Sequence, residues 1–477
     1  MSTSPLASEP PLYQKRIPIY PRSVKGPFRT LKTSILVLAY SVYFILPWVR
    51  YERVNAPDQA VLFDIPGRHF YIFGLTVQVQ DLFWLAGLLM IGAWTLFFVT
   101  SIAGRVFCGY FCFQTLWTDA FMFIERWVQG DRTARIRLDK SPWTGAKIAK
   151  KGLTWVLWLA LAFWTGLTFA LYWGDAFELT AAMVRGEAPT PAYVCTFLLT
   201  FTTFVMAGLA REQVCTYMCP YGRFQSAMFD RDTLIVSYDA NRGEGSAGRQ
   251  RVTRDAKERD QRWTQGIGDC IDCGYCVQVC PTGIDIRNGL QYQCISCAQC
   301  VDACDTIMKR LGWPTGLVRY TSDQALSGGK THFIKPKTLG YGVVLIAAIS
   351  TLIWSIATRA PYTMAVNQVR QPLAVQLSDG SIQNSYELKL NNKLTQPVTF
   401  RFEIAGLPQG SLDLGEFEAV ELEPQQTLRL VARVKLPPDQ PAGQRDFTFV
   451  AEPVTASPAA PERPPLQRPA MFYIPQP

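Results

Sequence analysis

Eight cysteines between Asp269 and Asp305 constrain this chain more than any other stretch. They form two runs, Cys270-Ile-Asp-Cys273-Gly-Tyr-Cys276-Val-Gln-Val-Cys280-Pro281 and Cys294-Ile-Ser-Cys297-Ala-Gln-Cys300-Val-Asp-Ala-Cys304. Each has the spacing C-x₂-C-x₂-C-x₃-C. Three close thiolates can hold three corners of a cubane, and the fourth reaches across to the neighbouring cluster. The spacing predicts two [4Fe–4S] clusters, one on Cys270, Cys273, Cys276 and Cys304, the other on Cys294, Cys297, Cys300 and Cys280. Disulfides fit poorly, because cysteines at x₂ spacing bridge badly. Zinc ribbons rarely show three-cysteine runs in tandem.

The rest of the chain sets these clusters beside a membrane. Of 477 residues, 48% are hydrophobic and 13% aromatic, yet 18% remain charged, so apolar spans and soluble parts coexist. Apolar stretches at 33–48, 82–103, 153–173, 193–209 and 339–357 read as five transmembrane spans. The net charge of +9 is explained by basic loops at span ends and needs no nucleic-acid partner. Lys15, Arg16, Arg22, Lys25 and Arg29 precede the first span. Arg132, Arg135, Arg137, Lys140, Lys147, Lys150 and Lys151 separate the second from the third. Alternation then puts the N-terminus and the cluster domain inside and the C-terminus outside. Thirteen cysteines, most at ligand spacings, agree with a reducing compartment for that domain. The two histidines, His69 and His332, lie outside the apolar spans, which excludes a bis-histidine haem within them.

The expected fold is thus a multi-domain membrane protein. An α-helical transmembrane bundle carries an inserted bacterial-type 2[4Fe–4S] ferredoxin domain at 266–320 and a C-terminal immunoglobulin-like β-sandwich at 362–455. The sandwich reading rests on short alternating segments such as Ser385-Tyr-Glu-Leu-Lys-Leu and Val398-Thr-Phe-Arg-Phe-Glu-Ile, separated by turn residues. Residues 1–30 read as a basic tail and 31–230 as the first four spans. Residues 51–80 read as a loop, 231–265 as a charged linker, 338–358 as the fifth span and 456–477 as an extended Pro-rich tail.

Two further cysteine pairs stand out. Cys108-Gly-Tyr-Phe-Cys112 and Cys215-Thr-Tyr-Met-Cys219-Pro220 follow the second and fourth spans, and an offset of 107 residues superposes them. This is an internal repeat of one helix plus one dithiol. On a helix the x₃ spacing would put both sulfurs on one face. Four thiols brought together suit Cu(I), zinc or an iron–sulfur centre, and a dithiol can also cycle with a disulfide. Cys195, inside the fourth span, reads as packing.

The combination resembles the cytochrome c oxidase accessory proteins of the CcoG family, also called FixG or RdxA. The carriers are the two Cys-x₃-Cys pairs, the double cluster motif, Cys304-Asp-Thr-Ile-Met-Lys, Gly316-Leu-Val-Arg-Tyr320 and the opening Lys15-Arg-Ile-Pro-Ile-Tyr-Pro21. The resemblance implies a protein of the bacterial inner membrane, with its C-terminal domain periplasmic. It implies reduction of Cu(II) to Cu(I) in support of cbb3-type oxidase assembly, with Cys108, Cys112, Cys215 and Cys219 at the copper. Copper-handling proteins and oxidase assembly factors would be its partners, with an unidentified electron donor. Two other readings stand beside it: a quinol-linked polyferredoxin, and a non-catalytic docking factor.

Overall fold

Among the described residues, five helices are long and apolar enough to cross a membrane: Pro27–Trp48, Phe83–Ala103, Gly145–Leu171, Thr190–Ala210 and Pro336–Ala357. The computed structural model describes residues 18–53, 56–78, 81–252, 258–394, 396–408, 410–415, 419–424, 426–438, 440–454 and 465–475. Lys15, Arg16 and Ile17 lie outside them. Two compact units emerge, one of Met1–Trp48 with Gln80–Thr351, the other of Val49–Val79 with Leu352–Pro477.

The first and third helices begin several residues before the apolar stretches, because their opening turns satisfy their own charges. Arg29 pairs with Asp119 at 2.8 Å, and Lys32 lies 3.8 Å from the same carboxylate. Lys147 donates to the carbonyls of Asp139 and Ser141 at 2.9 and 2.6 Å. A charged head that finds such partners at a helix end costs little, while its stem stays on the apolar face.

In the first unit, strands β4 (Ile235–Tyr238) and β5 (Val318–Thr321) pair antiparallel on either side of the cysteine runs. Residues expected as a linker therefore belong to the cluster domain. Arg262 within that stretch is fully buried and donates to the Gly268 and Gln250 carbonyls, both at 2.9 Å. Its charge density is spent on internal contacts. Residues 253–257 of the expected linker lie outside the described residues.

In the second unit, the stretch expected as a loop forms a three-stranded meander of β1 (Val61–Asp64), β2 (His69–Ile72) and β3 (Leu75–Gln78). The C-terminal sandwich packs two antiparallel sheets. One has the order β10 (Leu412–Asp413), β12 (Thr427–Leu436), β8 (Ile382–Asn392), β6 (Tyr362–Gln368), with β7 (Val375–Gln376) also on β8. The other runs β11 (Ala419–Leu422), β9 (Val398–Ala405), β13 (Gly443–Val454), β14 (Leu466–Ile474). Alternation along β8 buries Tyr386, Leu388 and Leu390 against Phe400, Phe449 and Phe472. The Tyr386 hydroxyl donates across the core to the Met471 carbonyl at 2.6 Å. The expected extended tail is corrected over its described part: β14 is a full strand of the sandwich, with Pro469 opposite Thr448; residues 456–464 and 476–477 of that tail lie outside the described residues. Proline is tolerated because β14 is an edge strand with one unpaired side.

Candidate functional site

The two cysteine runs fold into the same local shape. Asp272 and Ser296, two residues after the first cysteine of each run, both take positive φ (49° and 53°). Gly274 and Ala298, each following the second cysteine, do the same (64° and 56°) and each precedes a helix, the short Tyr275–Gln278 and the longer Gln299–Leu311. These left-handed residues turn each chain tightly enough to aim successive sulfurs inward. Cys300 and Cys304 then lie four residues apart on the helix Gln299–Leu311, so one helix serves both sets of four.

Two small cavities result. Cys270, Cys273, Cys276 and Cys304 line one, with Tyr238, Met308 and Val318 closing it. Cys280, Cys294, Cys297 and Cys300 line the other, with Val236, Ile284 and Ile286. Cys276 borders both. Burial pushes the Cys276, Cys294 and Cys304 thiols up to about 12 and Cys300 well above its ordinary value. Thiols so deeply desolvated ionise only against a compensating positive charge, which cluster iron supplies. Soft donors in fours around dry, apolar cavities fit two [4Fe–4S] clusters. Among the described residues, no three His, Cys, Asp or Glu side chains close on a point that could hold one metal ion.

The expected linker supplies Tyr238 to the first cavity and fixes Asp269, the residue before Cys270. Arg242, Arg259 and Trp263 all hydrogen-bond the Asp269 carboxylate, at 2.6, 2.9 and 2.9 Å. Burial works to raise that carboxyl, and the three donors outweigh it and hold it low.

The second and fourth membrane helices end alike. Gly104 caps the second at φ 56°, ψ −123°, and Arg211, 107 residues on, caps the fourth at φ 45°, ψ −112°. Cys108 follows in the short helix Val106–Tyr110, and Cys215 in the π-helical turn Val214–Met218. Cys112 and Cys219 both leave the helical region, at ψ 127° and 107°, and begin the helices Phe113–Gln129 and Pro220–Ala227. The repeat therefore extends to the backbone. The expectation that each pair shares one helical face is corrected: each second cysteine sits at a helix break. Cys195 is half-buried in the helix Thr190–Thr203.

The four thiols form one group. Burial pushes Cys215 up to about 12, and Cys112, Cys108 and Cys219 each add to the rise. Burial also raises Cys108, again with Cys112 and Cys219 contributing, while the buried Arg105 guanidinium works against it at both sites. Cys108 Sγ donates to Gln225 Oε1 at 3.0 Å. The amide of the fully buried Gln225 in turn donates to Thr100 and Tyr221.

This group docks on the second cysteine cavity. Cys108 packs directly against Ile295 and Cys297. Tyr110 donates its hydroxyl proton to the Cys297 carbonyl at 3.2 Å, and Arg105 donates to the Tyr292 carbonyl, two residues before Cys294. Gly109 makes the approach possible, since a Cβ there would lie 2.7 Å from the Ile295 carbonyl oxygen. Sequence reasoning missed Gly109, Tyr110, Arg105 and Gln225 as parts of the site. Gly109 leaves a trace in the Cys108-Gly-Tyr triplet, whereas Arg105 follows the second apolar stretch with no motif to mark it.

Comparisons with known proteins agree with this architecture. Residues 210–323 match the 4Fe–4S dicluster domain family, a stretch that takes in Cys215, Cys219 and both runs. Residues 352–474 match the family described as the Ig-like fold at the C-terminal of FixG. Protein RdxA of Cereibacter sphaeroides is 44% identical over 83% of this chain and 84% of its own. Protein RdxB of the same organism is 40% identical over 86% and 87%. The nitrogen fixation protein FixG of Rhizobium meliloti is 37% identical over 93% and 91%. The chain belongs to the FixG/RdxA family of iron–sulfur electron-transfer proteins.

Proposed function

We propose that this protein is a membrane-bound oxidoreductase that delivers single electrons to the four-thiol group and there reduces Cu(II) to Cu(I), supporting assembly of a cbb3-type oxidase. The observation that carries the reading is the packing of Cys108 on Cys297, with Gly109 against the same loop. Cys270, Cys273, Cys276 and Cys304 would hold one cluster, and Cys280, Cys294, Cys297 and Cys300 the other. When bound, the two [4Fe–4S] clusters supply one-electron carriers. The protein's own residues supply the rest. Cys276 borders both cavities, so no separating layer of side chains intervenes. Val236, Ile284 and Ile286 keep water from the second cavity, and Arg105 offsets negative charge that accumulates on the thiols. The substrate Cu(II) takes one electron, and the soft thiolates favour the Cu(I) that results.

We place the cluster domain in the cytoplasm and the sandwich in the periplasm of a bacterial inner membrane, because the basic residues from Arg132 to Lys151 share the cluster side. The test of function is copper reduction by purified protein with Cys108, Cys112, Cys215 and Cys219 changed to Ser. Loss of reduction is expected; an unchanged rate overturns the assignment. A second reading has an observation of its own. The four thiols raise one another, and among the described residues no three of them close on one ion; the two cluster sets share both features, which suits an additional iron–sulfur centre. Iron and acid-labile sulfide in protein lacking the eight other cysteines would reveal it.

A further inference from the structure

A polar cavity beside the second cysteine set has no part in this account. It is as small as that set's own cavity. Four arginines line it, Arg22, Arg29, Arg126 and Arg135, with one carboxylate, Asp119. Pro281 and Gln299, which adjoin Cys280 and Cys300 in sequence, also line it.

Most of this charge has a partner. Arg29 pairs with Asp119 at 2.8 Å, Arg135 with Glu125 at 2.8 Å, and Arg22 lies 4.7 Å over the Tyr275 ring. Three groups are left over. The half-buried Arg126 guanidinium has no hydrogen bond or ion pair among the described residues. Arg135 Nε and Asp119 Oδ2 are buried without a partner, on residues each 2% exposed. Buried polar groups cost free energy unless satisfied. A ligand that satisfies all three must accept from two guanidinium groups and donate to one carboxylate oxygen. A carboxylate or halide has no proton to donate. A phosphate group that keeps one proton has both functions, and arginine forks suit its oxygens.

We propose that this cavity binds a singly protonated phosphate group. Inorganic phosphate and a lipid headgroup ending in a phosphomonoester share that chemistry. Val24 and Arg29 also line an open groove that follows the first helix to Ser41, where an acyl chain could lie.

The test uses holoprotein in detergent, freed of lipid. Calorimetric titrations with inorganic phosphate and with a short-chain phosphatidic acid distinguish the two sources. Saturable binding of either supports the proposal, provided Arg126→Gln weakens it at least ~10-fold and the exposed Arg310→Gln leaves it unchanged. Arg126→Lys, which keeps the charge and loses the fork, should fall between. Unchanged cluster absorbance shows that each variant is folded. Binding of neither ligand, or equal binding by Arg126→Gln, overturns it. Copper reduction is not the readout, so this result is independent of the function proposed above.

Discussion

Replacing Gly109 with Ala sets a methyl carbon 2.7 Å from the Ile295 carbonyl oxygen and 3.0 Å from the Cys297 amide nitrogen and Cα. All three are backbone atoms, so no flexible side chain can yield. The helix Val106–Tyr110 and the second cysteine loop must separate by roughly half an ångström. Overpacking of this kind costs about 1–3 kcal/mol, and backbone contacts point to the upper end. Alanine recovers about 1 kcal/mol of helix propensity. A net loss of about 2 kcal/mol remains, a factor of roughly 30 in local opening. The assay is the alkylation rate of buried Cys108 in folded holoprotein, resolved by mass spectrometry, alongside the rate of copper reduction. Gly109→Ala should label roughly 30-fold faster and reduce copper more slowly at unchanged cluster content. Gly152→Ala, which meets nothing within 4 Å, serves as the control. Native labelling and native reduction in Gly109→Ala would refute the docking argument.

The cavity assignments make Cys304→Ser and Cys280→Ser informative as a pair. Each should lose one cluster's spectroscopic signature and about four iron atoms while sparing the other; loss of both signatures from either change would count against separate cavities. Asp119→Asn leaves Arg29 and the buried Lys32 uncompensated and should destabilise the first unit by about 3 kcal/mol at neutral pH. Burial works to raise the Asp119 carboxyl, and Lys32 and Arg29 outweigh it and hold the folded value low. Its stabilisation is therefore present above the ordinary carboxylate range near pH 4 and lost as pH falls through the lower folded value. Melting curves of the two proteins should converge in acid, and a gap that persists there would contradict the pairing. Ending the chain after Val454 removes Phe472 and Ile474 from the sandwich core and exposes β13 as an edge. Protease resistance of residues 362–454 should disappear, and survival of that fragment would show β14 to be dispensable.

What could be read from the sequence follows the range of the forces involved. Cluster ligation is local, so the cysteine spacing alone proposes two sets of four; the members of each line one cavity, and Cys276 borders both. The five spans were legible for the same reason, since a long uncharged run has few other fates in a folded chain. The break at each dithiol was partly legible. Pro220 disfavours the helical region for Cys219, whereas Phe113 leaves no such mark on Cys112, which takes the same conformation only through the repeat. The strand β14 was hidden by its composition, because Pro469 is permitted only by an edge position that a single sequence does not reveal. Tertiary pairing is also what turned residues 235–238 from linker into strand, through contact with a segment more than eighty residues away. The docking of Cys108 on Cys297 joins positions nearly two hundred residues apart, and no local pattern announces it.

One measurement bears most directly on the claim that electrons leave through the four-thiol group. Clusters reduced under anaerobic conditions are mixed with one equivalent of Cu(II), and their reoxidation is followed by absorbance alongside a Cu(I)-specific chelator. The native protein should reoxidise as Cu(I) appears, and protein with Cys108, Cys112, Cys215 and Cys219 changed to Ser should stay reduced at least ~10-fold longer. Reoxidation of that variant at the native rate would contradict the account.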